Sequence, residues 1–441
     1  MVFHSPSWVP AADFAALPHD VAAGDFVLDR HLALPCDVDV KAPFMCAQTG
    51  QTYSAHKLSG RVDEFSRTLR HELQWQDDSA SPWDRVVAIL SVNSKLAKVT
   101  HMNVIAQAVQ STVFERVSKK GRTEVGLGIL PLSHIYGIVL SHLMCLRGDC
   151  MVLHASFDMQ KMLKSISEHR IERLYLVPPI ITAMANNPIL LEMYDLSSVR
   201  SIVTGGGPLT RGLSERMYAV RPDWQILPGY GLTESGGIAT FTGALDPLLG
   251  SSGCLLPGVE ARLVGPSGGE IEDYNVPGEL RLRSPLNVQG FLGEPESDHL
   301  LFTSDGWLRT GDVGLFSLGP QGSEHLFIVD RIKDMIKVKG TQVAPIEIES
   351  CLIRHPAVAD AAVIGVEDAQ AGERPFAFVV RTNGTDSTLT DAEFKRILGA
   401  YVDSNLPETH RLHQRIRISE VIPKSQSGKV LKHVLRASKE A

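Results

Sequence analysis

From Phe157 onward the chain alternates helical and extended patterns. A helical period covers Phe157 to His169, a strand pattern covers Ile171 to Val177 before Pro178-Pro179, and a further helix and strand end at Val203. Few arrangements accept that alternation: strands joined through helices run parallel, and a parallel sheet has to be covered on both faces. The run stops at Thr204-Gly205-Gly206-Gly207-Pro208. Glycines directly after a strand let a ligand reach the backbone, and open sheets of this kind bind at the carboxyl ends of their strands. Taken alone, such a run also suits a flexible turn. The expectation is an α/β fold with parallel sheets, flanking helices, and a site beside Gly205, Gly206 and Gly207.

At 441 residues the chain is too long for one core to keep growing, so a second domain is expected. Its boundary shows where Phe327-Ile328-Val329-Asp330, a strand, runs into the charged Arg331-Ile332-Lys333-Asp334. Beyond it come short strands (Met335 to Val338, Val358 to Val366, Phe376 to Val380, Ile416 to Ile418) and helices near Pro345 to Arg354 and Asp391 to Ser404. This predicts a large domain over 1–330, a boundary at 331–334, and a small α+β domain over 335–441. Earlier in the chain we read an extended lead-in with short strands over residues 1 to 50, a surface helix from Tyr53 to Leu73, and a buried strand from Arg85 to Val92. A helix from Met102 to Val117, a strand from Val125 to Leu130, and small antiparallel strands between Gly253 and Arg283 complete the pattern.

A net charge of −7 gives no general attraction to nucleic acid or anionic lipid, so small molecules are the expected partners. Six cysteines without a CxxC pair argue against a structural zinc site and against a disulfide scaffold. The most apolar stretch, Val125 to Leu146, is interrupted by Pro131, Ser133, His134 and His142, which suits a buried strand and helix better than a membrane span. No leader pattern is read in Met1 to Asp13 and no Ser-Lys-Leu in Ser438-Lys439-Glu440-Ala441, so the expected location is cytoplasmic rather than peroxisomal. Oligomeric state is left open.

Near the middle lies Pro228-Gly229-Tyr230-Gly231-Leu232-Thr233-Glu234-Ser235. Within one turn it offers bare backbone, a stacking face, a hydroxyl and a carboxylate, a combination that suits a nucleotide. Arg309-Thr310-Gly311-Asp312, Asp330-Arg331-Ile332-Lys333 and Pro423-Lys424-Ser425-Gln426-Ser427-Gly428-Lys429 follow in that order. Together the four motifs resemble the adenylate-forming superfamily, in particular the 4-coumarate and medium-chain acyl-CoA ligases, from about Val125 to Arg436.

The resemblance implies roles for individual residues. Gly205, Gly206 and Gly207 border the adenine and the acyl group; Gly229, Tyr230 and Gly231 form the adenine wall, with Tyr230 against the ring. Thr233 bonds phosphate, Glu234 holds Mg²⁺, Asp312 takes the ribose diol, and Arg331 contacts ribose. His134, in Pro131-Leu132-Ser133-His134-Ile135-Tyr136-Gly137, lines the acyl pocket, although a histidine there is as often satisfied by core hydrogen bonds. Lys333 is the hinge of a C-terminal lid, Lys429 is the lysine presented for adenylation, and Lys337, Lys339, Gly340 and Gln342 form the thioester face for coenzyme A. The implied activity is an ATP-dependent acid-thiol ligase. It makes an acyl-AMP from an aryl or medium-chain carboxylic acid and hands it to coenzyme A, with a setting in secondary metabolism. A luciferase-like oxygenase shares the adenylation half.

One segment departs from that pattern. Ligases of this type carry a Ser/Thr/Gly-rich phosphate loop ending in Pro-Lys-Gly and then Thr-His before a long helix. Here Ser94-Lys95-Leu96-Ala97-Lys98-Val99-Thr100-His101 leads straight into the helix. Lys98, Thr100 and His101 match the tail of the loop, and no glycine occurs between Gly60 and Gly121 to form its body. The chain therefore resembles a ligase with an internal segment removed near 94–98. That departure carries a second reading, an impaired or inactive remnant that binds AMP or acyl-AMP, and an expectation of an exposed sheet edge and apolar surface.

Overall fold

The computed structural model describes residues 1–17, 21, 23–28, 42–72, 86–90, 96–119, 122–291, 299–382, 389–425 and 428–438. Its first strands are β1 (Phe44–Cys46) and β2 (Thr52–Tyr53), followed by the pair β3 (Val86–Leu90) and β4 (Leu96–Thr100). The central strands are β5 (Val125–Gly128), β6 (Cys150–Leu153), β7 (Arg173–Leu176), β8 (Ser201–Thr204), β9 (Gln225–Leu232), β10 (Gly237–Phe241) and β11 (Cys254–Leu255). They form a nine-stranded sheet in the order β11-β10-β9-β8-β7-β5-β6-β1-β2. From β9 to β1 all neighbours are parallel, and antiparallel strands complete both ends.

The helices before the central strands are α1 (Ala23–Leu28), α2 (Ala55–Glu72) and α3 (His101–Lys119). Crossovers between parallel strands use α4 (Ile135–Arg147), α5 (Met159–His169), α6 (Pro178–Ala185), α7 (Pro188–Glu192) and α8 (Arg211–Val220). The central strands read as unbroken apolar runs because both faces are covered. Leu174, Ile202 and Ile226 enter one cluster with Met162, Ile181 and Met217 from the helices. Their strand neighbours Tyr175, Val203 and Leu227 point the other way, toward Leu140 and Met144 of α4.

A second, antiparallel sheet is built from β12 (Glu260–Val264), β13 (Glu270–Ile271), β14 (Gly278–Arg283), β15 (Leu308–Leu318) and β16 (Glu324–Arg331). After a short 3-10 turn over Ile332–Asp334, the C-terminal sheet comprises β17 (Ile336–Val338), β18 (Thr341–Val343), β19 (Val358–Asp368), β20 (Gly372–Arg381) and β21 (Ile416–Ile418). It is flanked by α9 (Pro345–Arg354), α10 (Asp391–Asn405) and α11 (Lys432–Ser438). The fold is thus α/β with a large parallel-sheet domain and a small α+β C-terminal domain.

Two contacts fix how the domains meet. A Cβ on Gly212 of α8 would lie 2.7 Å from Arg354 Cγ and 2.9 Å from the Ser350 carbonyl of α9, so the two helices touch where only glycine leaves room. Beside it, Arg216 donates to the carbonyls of Ile353 (3.4 Å) and Val358 (3.0 Å). One apolar cluster runs from Leu174 and Ile202 through Met217 to Ile353, Val363 and Phe394.

Several expectations need correction. The lead-in is not wholly extended: it contains α1, whose Ala23, Phe26 and Val27 pack into the cluster formed with α3 and α4. The strand read at Arg85 to Val92 is described over Val86–Leu90, where it pairs antiparallel with β4 in a separate two-stranded sheet. Ser94 and Lys95 lie outside the described residues. The central octet is not one turn, since Pro228 to Leu232 continue β9 and only Thr233 onward turns back into β10. The large sheet ends on two-residue strands, which limits pairing with another chain, while β3 is paired on one side only among the described residues.

Candidate active site

The β9–β10 hairpin presents Tyr230, Thr233 and Glu234. Its geometry depends on glycine: a Cβ on Gly231 would meet the Gly237 carbonyl at 1.9 Å, and Gly236 holds φ +74° with its α-carbon against the Leu286 carbonyl. Ser235 Oγ accepts from the Leu232 amide (3.0 Å) and lies 2.9 Å from the Gly237 carbonyl, tying the turn shut. The Val288 amide donates to the Glu234 carbonyl at 3.0 Å. Glu234 is left half-buried, with no direct ion pair to its carboxylate among the described residues.

The second sheet supplies the facing groups. Strand register sets Asp312 opposite Arg331, with Arg331 Nε 3.6 Å from Asp312 Oδ1. The Tyr230 hydroxyl donates to Asp312 Oδ2 at 2.7 Å. Below them Thr310 Oγ1 accepts from the Asp312 amide and donates to the Leu280 carbonyl, which anchors the segment. Burial raises the Asp312 carboxyl above its usual range, against the opposing pull of the Tyr230 hydrogen bond, Arg331 and Lys429. Burial and then the Asp312 charge push the Tyr230 phenol well up, so it stays a donor.

Behind this pair stands the glycine run after β8. A Cβ on Gly205 would lie 3.3 Å from the Gly229 carbonyl and 3.7 Å from Tyr136 Cε1, so glycine allows β8, β9 and α4 to converge. Gly206 adopts φ +79° and is exposed, and Gly207 is half-buried beside Pro178. His134 is the N-cap of α4, its Nδ1 accepting from the Tyr136 amide at 3.2 Å. Burial, then the Lys429 charge, lowers its pKa, so the neutral ring carries its proton on Nε2.

Lys429 arrives from the C-terminal domain. It sits on a tight turn closed by the Lys424–Val430 bridge and by Ser425, whose Oγ accepts from the Lys429 amide at 3.1 Å. Gly428, at φ +83°, packs against Pro179 and Val177 of the large domain. Burial lowers the Lys429 ammonium to about 8, Arg331 and Lys333 adding to the shift while Asp312 and Glu234 oppose it. The structure thus brings together Tyr230, Asp312, Arg331, Glu234, His134 and Lys429.

Other expected residues stay apart. Lys337, Lys339, Gly340 and Gln342 lie on the exposed β17–β18 hairpin, whose turn holds Lys339 and Gly340 at φ +49° and +81°. Nothing lies within 4 Å of a Cβ built on Gly340. Lys333 is exposed in the 3-10 turn. Thr100 and His101 are engaged locally: Thr100 Oγ1 accepts from the Asn103 amide (3.1 Å) at the start of α3, and His101 Nδ1 accepts from the Ala23 amide (3.2 Å). The tyrosine–aspartate hydrogen bond was not legible in the sequence, because its partners lie in different sheets. Nor was the buried group Ser251, His325 and Asp246, in which both ring nitrogens of His325 are bonded.

A half-buried carboxylate at a hairpin turn, electrostatically coupled to a lysine but not paired with it, fits a hard divalent cation. A buried carboxylate held beside a tyrosine and an arginine fits the vicinal hydroxyls of a ribose.

Comparison with known proteins gives that arrangement a family. The AMP-binding enzyme family matches residues 92–292, and the AMP-binding enzyme C-terminal domain matches residues 347–429. The acyl-CoA ligase gloD of Glarea lozoyensis is 48% identical, covering 99% of this chain and 99% of its own. This chain is an adenylate-forming enzyme. It is 36% identical to the acyl-CoA ligase frbB of Dothideomycetidae sp., across 99% of this chain and 100% of that protein. The two alignments run over 562 and 564 positions, against the 441 residues of this adenylate-forming chain. Among solved structures, amide bond synthetase McbA from Marinactinospora thermotolerans superposes with TM-score 0.70 at 29% identity, over 81% of this chain and 70% of that one. ATP-bound MatB from Rhodopseudomonas palustris gives 0.68 at 28%, over 78% and 65%. No helix among the described residues is long and apolar enough to cross a membrane.

Proposed function

We propose that this chain is an ATP-dependent acyl-CoA ligase, activating an aryl or medium-chain carboxylic acid in secondary metabolism. The observation that carries this reading is the entry of Lys429, from the C-terminal domain, into the cleft that holds Asp312, Arg331 and Glu234. In the first half-reaction a carboxylate oxygen of the acid bonds to the α-phosphorus of ATP and pyrophosphate leaves. Lys429 stabilises the charge developing on the phosphate oxygens, as a positioned cation does in a partly dry site. Asp312 and Arg331 fix the ribose, Tyr230 lines the adenine, and neutral His134 offers Nε2–H beside the acyl group. When bound, Mg²⁺ supplies charge neutralisation on the phosphates, and Glu234 would hold it, while Thr233 would bond a phosphate oxygen.

In the second half-reaction the thiolate of coenzyme A bonds to the acyl carbon and AMP leaves. The groups proposed for that step, Lys337, Lys339, Gly340 and Gln342, are exposed, so the C-terminal domain has to turn about Lys333 to present them. Pyrophosphate release measured across a panel of carboxylic acids tests the proposal. It should depend on the acid and fall by about a hundredfold or more in Lys429→Ala. A wild-type protein that releases none with any acid would sink it.

A second reading, an impaired ligase that binds AMP or acyl-AMP, draws on the glycine-free stretch from Arg61 to Lys120 and on the longer alignments with relatives. The local bonding of Thr100 and His101 supports it too. Calorimetry separates the two: MgATP bound no more tightly than AMP favours the impaired form, and a clear preference for MgATP removes it.

A further inference from the structure

Where the β11 edge of the large sheet meets the second sheet, three buried side chains from separate elements converge. Asp246 lies in the loop after β10, Cys254 opens β11 and His325 lies on β16, and none is more than 3% exposed. A carboxylate oxygen, the thiol sulfur and a ring nitrogen, one atom from each, all lie within 4.8 Å of one another. The backbone holds them there. The Leu326 amide donates to the Gly253 carbonyl at 2.9 Å and the Ser252 amide donates to the Leu326 carbonyl at 2.7 Å, so β16 is tied to the segment that enters β11. Gly253, at φ +93°, has to be glycine, since a Cβ there would meet the Phe241 carbonyl carbon at 2.1 Å.

His325 Nε2 faces Asp246 Oδ2 at 3.2 Å, and Nδ1 lies 3.1 Å from Ser251 Oγ. Two tautomers fit those distances. With its proton on Nε2 the ring bonds Asp246 directly and no ion is needed. With the proton on Nδ1, Ser251 Oγ accepts it together with the Gly253 amide (2.8 Å) and donates to the Leu326 carbonyl (3.3 Å), so the hydroxyl is fully used. Nε2 then turns a bare lone pair on a carboxylate, and only a cation between them relieves the repulsion. No lysine or arginine pairs with Asp246 among the described residues, and Cys254 is a free thiol beside it. An imidazole steadied by a hydroxyl on its far nitrogen, a carboxylate and a sulfur form a donor set that suits zinc. The spacing agrees: tetrahedral zinc holds such ligand atoms roughly 3.3–3.6 Å apart. A thiolate and a carboxylate also balance a divalent ion, so the filled site adds no net buried charge. The lack of a CxxC pair speaks only to sites built on one short stretch of chain.

We propose that Asp246, Cys254 and His325 bind one zinc ion, which pins the large sheet to the second sheet, with the other Asp246 oxygen or a buried water as fourth ligand. The proposal stands apart from the ligase reading and from the Mg²⁺ assigned to Glu234. Because the site is buried, the ion enters as the chain folds, so the test starts from the full chain produced in zinc-supplemented cells and passed over a chelating resin. Elemental analysis should find about one zinc per chain in the unaltered protein and in Glu234→Gln, and none in Cys254→Ser or His325→Gln. Production with cobalt in place of zinc should give a near-ultraviolet sulfur-to-metal absorption band that Cys254→Ser lacks. A folded unaltered protein that holds neither metal overturns the proposal and leaves the Nε2–H bond to Asp246. Undiminished zinc in Cys254→Ser overturns it as well. Should that variant fail to fold, the cobalt spectrum of the unaltered chain decides: a sulfur-to-metal band supports the site, and its absence ends the proposal.

Discussion

Lys429 enters the cleft on the tip of a turn, and burial brings its ammonium down to about 8. Its charge is the part the proposed chemistry uses, and that charge is lost as pH rises through this value. The free protein should therefore show an alkaline limb in kcat/KM for ATP centred near pH 8, while a lysine with its ordinary value near 10.5 would place the limb higher. Lys429→Arg keeps a positive charge at any accessible pH, so the limb should disappear in that variant even if the maximal rate falls. A limb that stays in place in the arginine variant assigns it to another group. His134 does not confuse the measurement, because burial and Lys429 both lower its pKa, away from the alkaline side.

The helix α9 carries the clearest titration built into an element. Glu349, on its buried face, is pushed up to about 7 by burial, although it accepts from the Val363 amide at 2.8 Å and feels Lys432. Unfolded, the same carboxyl titrates near 4.5, so between those values the native state binds more protons than the unfolded one. Stability then declines as pH rises through that window, and the whole penalty is present above about pH 7. Glu349→Gln should raise stability by on the order of 1–3 kcal/mol near pH 8 and by little near pH 4.5. Thermal unfolding at the two pH values checks this, and an equal shift at both would show that packing, not charge, is responsible. The element itself was readable from its sequence: Pro345 opens the helix, and Ile348, Cys351 and Leu352 recur on one buried side.

At the scale of the molecule, the described arrangement has Lys429 in the cleft and the β17–β18 hairpin in solvent. A ligase that uses both faces has to exchange them, and the contact between α8 and α9 then has to break. Because a Cβ at Gly212 would press on the Ser350 carbonyl, Gly212→Leu should pry α8 from α9 and weaken the arrangement that holds Lys429 in the cleft. Acid-dependent pyrophosphate exchange should then fall about tenfold while acyl-CoA formation from a supplied acyl-AMP is kept. Loss of both activities in step would mean that the two half-reactions share one arrangement.

The sequence by itself determined the alternation of helices and parallel strands, the change of order after Arg331, and the four motifs that resemble adenylate-forming enzymes. These rest on local causes, since periodicity, glycine placement and turn chemistry act over a few neighbours in the chain. Tertiary structure decided which residues of those motifs meet. Asp312 faces Arg331 through the register of β15 and β16, Tyr230 reaches Asp312 from another sheet, and Lys429 joins them from the second domain. It also buried Glu115 between Arg147 and Arg173, three residues from separate elements with no shared motif. Pairing through space depends on the packing of whole layers, and no short stretch of chain encodes it.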